Sequence, residues 1–392
     1  LPFFVSFLSL IGLFSSSRYD YIFCGAGCAS LSLLMRMIRS GKFADKKILL
    51  AEKEPKTQND RTWCFWETKP GFFEEIVYRK WDTISFLSDD FSAEMSISPY
   101  QYKMIRGIDF YNYCFDEISK QRNIDVVYGN LTYAGSHKEG TTVIIDGREH
   151  NQPGGIVFNS IPKQGSTAGL KLLQHFKGWV VETEKPVFKP GVAIMMDFRV
   201  HQDYGTTFAY VLPANENEAL IEYTLFTKDV LRPDQYDSEL KIYLHDFLKI
   251  DKYSIRETET GIIPMTNEQF QFYEEGRFNI GTAGGQTKAS SGYTFQFIQK
   301  QSQRITNCLI QGSSLLTIKD TPKRFRFYDN TLLHILYHHK LPGKKIFTRL
   351  FQKNSPPAVL RFLDNESTLY GELKIISSLP ALPFLKAAIK QF

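Results

Sequence analysis

One segment near the N-terminus restricts the fold more than any other: "YDYIFCGAGCASLSLLMRMIRSGKF", Tyr19 to Phe43. It opens with a short β run (Tyr21, Ile22, Phe23), turns through Gly25-Ala26-Gly27, and continues with apolar residues at helical spacing (Leu31, Leu33, Leu34, Met37, Ile38). Gly41 is placed to end that helix. A second β run, "KKILLAEKE", follows and carries an acid, Glu52, at its end. Strand, GxG turn, helix, strand and terminal acid in this order are the pattern of a dinucleotide-binding unit. Gly25 supplies the tight turn, Ala26 sits between the glycines, and Gly27 lets the backbone approach a pyrophosphate at the helix N-terminus. Glu52 is placed to accept the adenosine ribose hydroxyls. Ser30 stands where the fingerprint wants a third glycine, and it is small enough for close helix–strand packing.

The bulk of the chain sets the other bounds. Its 392 residues exceed one ordinary core and imply two or three interleaved substructures. Net charge is +5 with no basic block, which points away from nucleic acid and tolerates an anionic membrane surface. Five scattered cysteines (Cys24, Cys28, Cys64, Cys114, Cys308) offer no paired zinc spacing, and a reducing cytosol is the simplest compartment. His334 and His338 share a helical face without an accompanying HExxH, so no metal site is expected. The start, "LPFFVSFLSLIGLF", is too short to span a bilayer comfortably and lacks a positive n-region. Residues 1–17 read as an apolar extension, either membrane-touching or upstream of the real start.

A second Gly-rich turn lies far along the chain. "RFNIGTAGGQTKASSGYTFQFIQKQ" predicts a strand at Phe278–Ile280, a turn from Gly281 through Gly284 and Gly285, and a helix from about Tyr293. Flavoproteins of the aromatic-hydroxylase type hold the FAD diphosphate and ring edge with such a late strand–turn–helix. Two such turns favour one FAD over one NAD. Thr282 occupies the place where those flavoproteins carry Asp, so the ribityl contact is left open.

Seven words in order then resemble one family: "NDRTWCFWE" (Asn59 to Glu67), "QHFKGWVVETEKPVF", "AIMMDFRV", "ALIEYTLF" (Ala219 to Phe226), "ETETGIIPMT", "GTAGGQTKASSGYTFQFIQ" and "VLRFLDNES". The succession, from about Tyr19 to the C-terminus, is similar to the lycopene β-cyclases of carotenoid synthesis. That resemblance implies an α/β (α+β mixed) flavoprotein with an FAD-binding Rossmann-like domain of the aromatic-hydroxylase type. It also implies an inserted antiparallel-sheet substrate domain, a hydrophobic carotenoid substrate dissolved in a membrane, and NAD(P)H as the source of electrons for reduced, active FAD. The implied reaction protonates the terminal double bond of an acyclic ψ end, closes a six-membered ring and releases another proton, with no net redox. An FAD-dependent monooxygenase or a polyprenyl or carotenoid reductase on the same fold is the alternative. The implied location is cytoplasmic, peripheral on the inner face of the membrane.

Protonating an alkene needs an acid that is neutral at pH 7. A carboxyl in water, with a pKa of roughly 4, is ionised; desolvation can raise it by several units. Strand alternation puts Leu220, Glu222 and Thr224 on one face of "ALIEYTLF", with Ile221, Tyr223 and Leu225 on the other. By base rate a strand Glu faces water. The plant cyclases, however, carry an acidic "FLEET" word here; its first Glu is matched by Glu222 and its second is replaced by Tyr223. The resemblance therefore assigns the proton to Glu222 alone. Asp197 in "MMDFRV" either joins the active site or pairs with Arg199 on its own strand face. Arg61, beside the Trp63-Cys64-Phe65-Trp66 cluster, either contacts the flavin or gates the pocket, and the tryptophans alternatively pack a long loop.

The expected nucleotide domain comprises residues 18–85, 130–165 and 270–320. Residues 86–129 and 166–269 would form the substrate domain, with "VAIMMDFRV", "TTFAYVLP" and "ALIEYTLF" in its sheet. Residues 321–392 would form a helical region covering the pocket or resting on the bilayer.

Overall fold

A computed structural model describes residues 18–163, 169–319 and 321–391; the apolar stretch 1–17 lies outside them. The GxG unit folds as its spacing dictates. Tyr21–Cys24 and Ile48–Glu52 are parallel neighbours in register, and Cys28–Ser40 is the helix between them. Gly41 ends the helix at φ 65°, donating its N–H to the Ile38 carbonyl, a left-handed position that favours glycine. Both strands are buried throughout, which is why they read as continuous apolar runs.

These strands sit within a six-stranded sheet ordered Tyr273–Glu274, Arg277–Asn279, Ile156–Asn159, Tyr21–Cys24, Ile48–Glu52, Ile124–Tyr128. All pairings are parallel except the short outer hairpin. Ile124–Tyr128 thus pairs with the nucleotide strands, whereas residues 86–129 were expected with the substrate domain. Its small apolar set (Ile124, Val127) gives no local sign of which sheet it joins.

The second large layer is a seven-stranded sheet. Its order is Ser254–Thr266, Lys171–Glu182, Glu218–Thr227, Thr206–Pro213, Val192–Asp197, Thr83–Leu87, Ser92–Ser96. The three strands expected in it are adjacent. The sheet is antiparallel except where Val192–Asp197 runs parallel to Thr83–Leu87. Thr83–Leu87 therefore opens this sheet rather than closing the first nucleotide segment.

Thr62–Glu67 is a strand, not a loop. It pairs antiparallel with Gln101–Arg106 in a small sheet between the two layers. Beyond residue 321 the described chain is helical: Lys323–Tyr337, Gly343–Lys353, Pro356–Leu363, Leu369–Ser378 and Ala381–Ile389. Phe347, Phe351 and Leu360 from this region join Phe86, Phe198 and Phe226 of the large sheet in one core. Each such buried side chain contributes about 1.5–3 kcal/mol.

Candidate active site

The two Gly-rich turns meet. At Gly281 the backbone has φ +61°, and an added Cβ would lie 2.6 Å from the Ala29 Cβ on the first helix. Gly284 sits against the Asn279 carbonyl, where a Cβ would approach to 2.2 Å, and Gly285 is left-handed at φ +73°. Gly27 differs: it caps the helix at φ −80° and an added Cβ meets nothing within 4 Å. One turn is closed by contact with the helix, and the other is open beside it. The open side is what a phosphate cradle requires. Glu52 is buried at the base of the first turn, its carboxylate accepting the N–H groups of Ala26 and Lys53. The buried Ser30 fits the helix–sheet interface as its size suggests.

From these turns a cavity of about 580 Å³ runs to the large sheet. Gly27, Cys28, Ala29, Gly281 and Thr282 line its nucleotide end; Tyr210, Leu220 and Glu222 line the sheet end. Arg61 lines it as well, with its guanidinium bonded to Asp60 at 3.0 and 3.1 Å. Trp63 and Cys64 reach the cavity, and Trp63 packs edge-on against Phe110 with ring centroids 5.0 Å apart. Phe176, Tyr102, Tyr293 and Phe295 complete an aromatic wall.

Glu222 faces this space from the predicted strand face. Its Oε1 accepts the Thr224 hydroxyl at 2.6 Å. Burial, with the Glu259 charge adding to it, pushes the Glu222 carboxyl up to about 8, and the Thr224 hydrogen bond opposes the shift. Tyr223 points the other way, into a separate core with Ile221, Leu225 and Tyr243. The residue that replaces the second acid of the family word is therefore packing.

A second carboxyl comes from elsewhere. Gly178 pairs with Glu222 on one side and with Glu259 on the other. Laterally paired residues share a sheet face, so Tyr210, Glu222, Gly178 and Glu259 form one row across four strands. Gly178 puts no side chain of its own between the acids, and Leu220 and Glu259 close over it; a Cβ there would lie 3.0 Å from Leu220 Cδ1 and 3.2 Å from Glu259 Cγ. Glu259 is 7% exposed, its Oε2 accepts the Thr62 hydroxyl at 2.8 Å, and its Oε1 has no partner. Burial raises its pKa too, Thr62 opposing. Glu259 lies within the quoted "ETETGIIPMT", but only the strand register, which the sequence does not state, sets it beside Glu222.

Asp197 is outside the cavity. It is fully buried on the opposite face, bonded to Arg199 Nε at 2.9 Å, Arg199 Nη2 at 2.6 Å and the Tyr243 hydroxyl at 2.8 Å. Of its two readings the ion pair holds, because its partner across the sheet is Ala209, on the face away from Tyr210. His334 and His338 touch ring to ring at 4.4 Å, and the described residues contain no cluster of three metal-ligating side chains.

The fold is that of the flavoprotein hydroxylases. A flavoprotein/dehydrogenase from Cytophaga hutchinsonii superposes with a TM-score of 0.61 at 12% identity, over 96% of this chain and 99% of that one. A geranylgeranyl bacteriochlorophyll reductase-like protein from Thermoplasma acidophilum gives 0.60 at 10% identity, over 95% and 99%. The p-nitrophenol 4-monooxygenase of Pseudomonas putida gives 0.59 at 10%, over 95% and 97%. At these identities the likeness is one of fold, a Rossmann-like core with an inserted sheet and C-terminal helices. No curated protein sequence matches the chain. The family model described as "Lycopene cyclase protein" matches residues 20–389, and the chain belongs to that family.

Proposed function

We propose that this lycopene cyclase closes acyclic ψ ends of lycopene into β rings, with Glu222 as the proton donor. The observation that carries the reading is a carboxyl in the wall of an aromatic cavity that begins at two Gly-rich turns, where burial pushes its pKa up. FAD fits the nucleotide end, where Gly27 is open and Gly281 packs on the first helix. Gly25, Ala26, Gly27 and Glu52 would shape the first turn against it, Gly281, Gly284 and Gly285 the second, and Arg61 would face its anionic part. When bound and reduced with electrons from NAD(P)H, the flavin would supply negative charge that favours a cation. Glu222 gives its proton to the CH carbon of the terminal double bond, leaving a tertiary cation; the next double bond attacks it to close the six-membered ring, and the resulting ring cation loses a proton to the Glu222 carboxylate, which restores the acid. The rings of Tyr102, Tyr210, Tyr293 and Phe176 surround that cation and exclude water, each face worth about 0.5–2 kcal/mol. Asp197, held by Arg199 and Tyr243, takes no part.

The substrate reaches the cavity from a membrane that the protein touches. Among the described residues no helix is long and apolar enough to span a bilayer. We place the contact, on the inner membrane face, at Leu369–Ser378 and Ala381–Ile389, whose Leu373 and Leu385 are 64% and 59% exposed.

The experiment is anaerobic turnover of lycopene with dithionite-reduced protein. Cyclisation without O2 and without flavin reoxidation supports the reading and excludes a monooxygenase or reductase. Glu222→Gln keeps the side-chain shape and removes the donor proton, so a loss of at least about a hundredfold is expected. An active Glu222→Gln variant would falsify the assignment.

A further inference from the structure

Glu222 is not alone on its sheet face, and the register rather than the local sequence makes the pair. Glu259 stands across Gly178 from it, 7% exposed, with one oxygen held by Thr62 and the other unpartnered. At the ordinary strand spacing the two backbones are about 10 Å apart, within the combined reach of two Glu side chains over a glycine. The acids do not open on the same space. Glu222 lines the large cavity, whereas Glu259 lines a smaller one of about 140 Å³ with Asn59, Arg106, Arg256 and Glu257. Thr62, Leu212 and Leu220 line both.

We propose that Glu259 is the positioning residue for the donor: the two carboxyls share the row across Gly178, and the charge of Glu259 keeps the proton on Glu222. This rests on the reading of Glu222 as the acid. Like charges in one buried site oppose double ionisation, so the pair holds a proton at a pH where either acid alone would have lost it. The remaining groups facing Glu222 do not change charge in this range. Cys64, Tyr102, Tyr210 and Tyr293 are all raised by burial and stay neutral. Facing Glu259 are Asp60 and Glu257, which add negative charge, and Arg61, which opposes them. In the smaller cavity Arg106 is paired with Asp109 and Arg256 with Glu182. Glu259 is thus the titrating neighbour to which Glu222 responds.

The sign follows directly. A neutral Gln at 259 removes the like charge, so Glu222 loses its proton at lower pH. The alkaline limb of the cyclisation profile should move down by about one pH unit, a loss approaching tenfold on that side with the plateau below it little changed. The two acids titrate in sequence: Glu259 ionises first, beside a still neutral Glu222, so Glu222→Gln should leave the Glu259 titration near its place while Glu259→Gln lowers that of Glu222. The test has two readouts on purified, FAD-loaded protein: the pH–rate profile of Glu259→Gln, and the infrared carboxyl C=O band titrated in wild type, Glu259→Gln and Glu222→Gln. A downward shift in the Glu259→Gln profile, with the Glu222 band of that variant titrating lower than in wild type, supports the proposal. A uniform loss of activity at all pH with unmoved bands marks Glu259 as merely structural and overturns it, as does an upward shift. If Glu222→Gln stays active, the donor assignment fails instead, and the infrared bands still decide whether the carboxyls are coupled.

Discussion

Thr224 and Glu259 push the same carboxyl in opposite directions, and the two can be separated one residue at a time. The Thr224 hydroxyl donates to Glu222 Oε1, a bond that favours the ionised acid. Thr224→Val keeps the shape and removes the donor, so the Glu222 pKa should rise and the alkaline limb of the rate profile should move up by about half a unit to one unit. The Glu259→Gln limb moves down; two limbs moving together would refute the electrostatic account of this site. Alternation along a strand has a period of two and needs no partner, so the sequence set Glu222 and Thr224 on one face, while the choice of Glu222 as the acid came from the family resemblance. Alternation could not choose between the readings of Asp197, since it gives a face only relative to a neighbour. The Asp197–Ala209 pairing supplies that neighbour.

At the scale of elements, the nucleotide unit was legible because turn, helix stop and strand are each local devices. The left-handed glycines at 25 and 41 stand where the pattern asks for them. What local pattern does not encode is pairing between distant strands. Ser254–Thr266 meets Lys171–Glu182 in a register with a shift at Val180/Val181, and that register alone brings Glu259 to Gly178. The strand Thr62–Glu67 was hidden for a related reason, because its ladder with Gln101–Arg106 spans an intervening hairpin. The two Gly-rich elements also make a contrasting prediction. Gly27→Val enters open space at an ordinary φ, so the unfolding free energy should hold within about 1 kcal/mol while bound FAD per chain falls sharply. Gly281→Ala forces a Cβ against Ala29 at a left-handed φ and should lower both stability and FAD content. Equal FAD retention in Gly27→Val and wild type would remove the cradle from the first turn.

Across the whole molecule, the sheet face that carries Glu222 lines the cavity that reaches the nucleotide turns, and the helical C-terminus shares a core with strands across the same sheet. The polyene proposed as substrate is too insoluble to arrive through water, so the proposed reading calls for an apolar surface that meets the bilayer. Leu369, Tyr370 and Leu373 on one helix, and Leu382, Leu385 and Ile389 on the next, are each at least 59% exposed. They recur at one-face spacing, and Lys374, Lys386 and Lys390 beside them are exposed too. Such a face costs solubility in water and is stabilised by insertion at a headgroup boundary, where each buried Leu contributes about 1.5–3 kcal/mol and each Lys about 1 kcal/mol on an anionic leaflet. Leu373→Glu combined with Leu385→Glu should therefore cut co-sedimentation with vesicles containing anionic lipid by at least about tenfold. FAD content and turnover of detergent-dispersed lycopene should stay near wild type, because neither residue lines the cavity. Unchanged vesicle binding in that double variant would move the membrane contact elsewhere on the surface. A parallel loss of turnover in detergent would instead show that these helices shape the pocket.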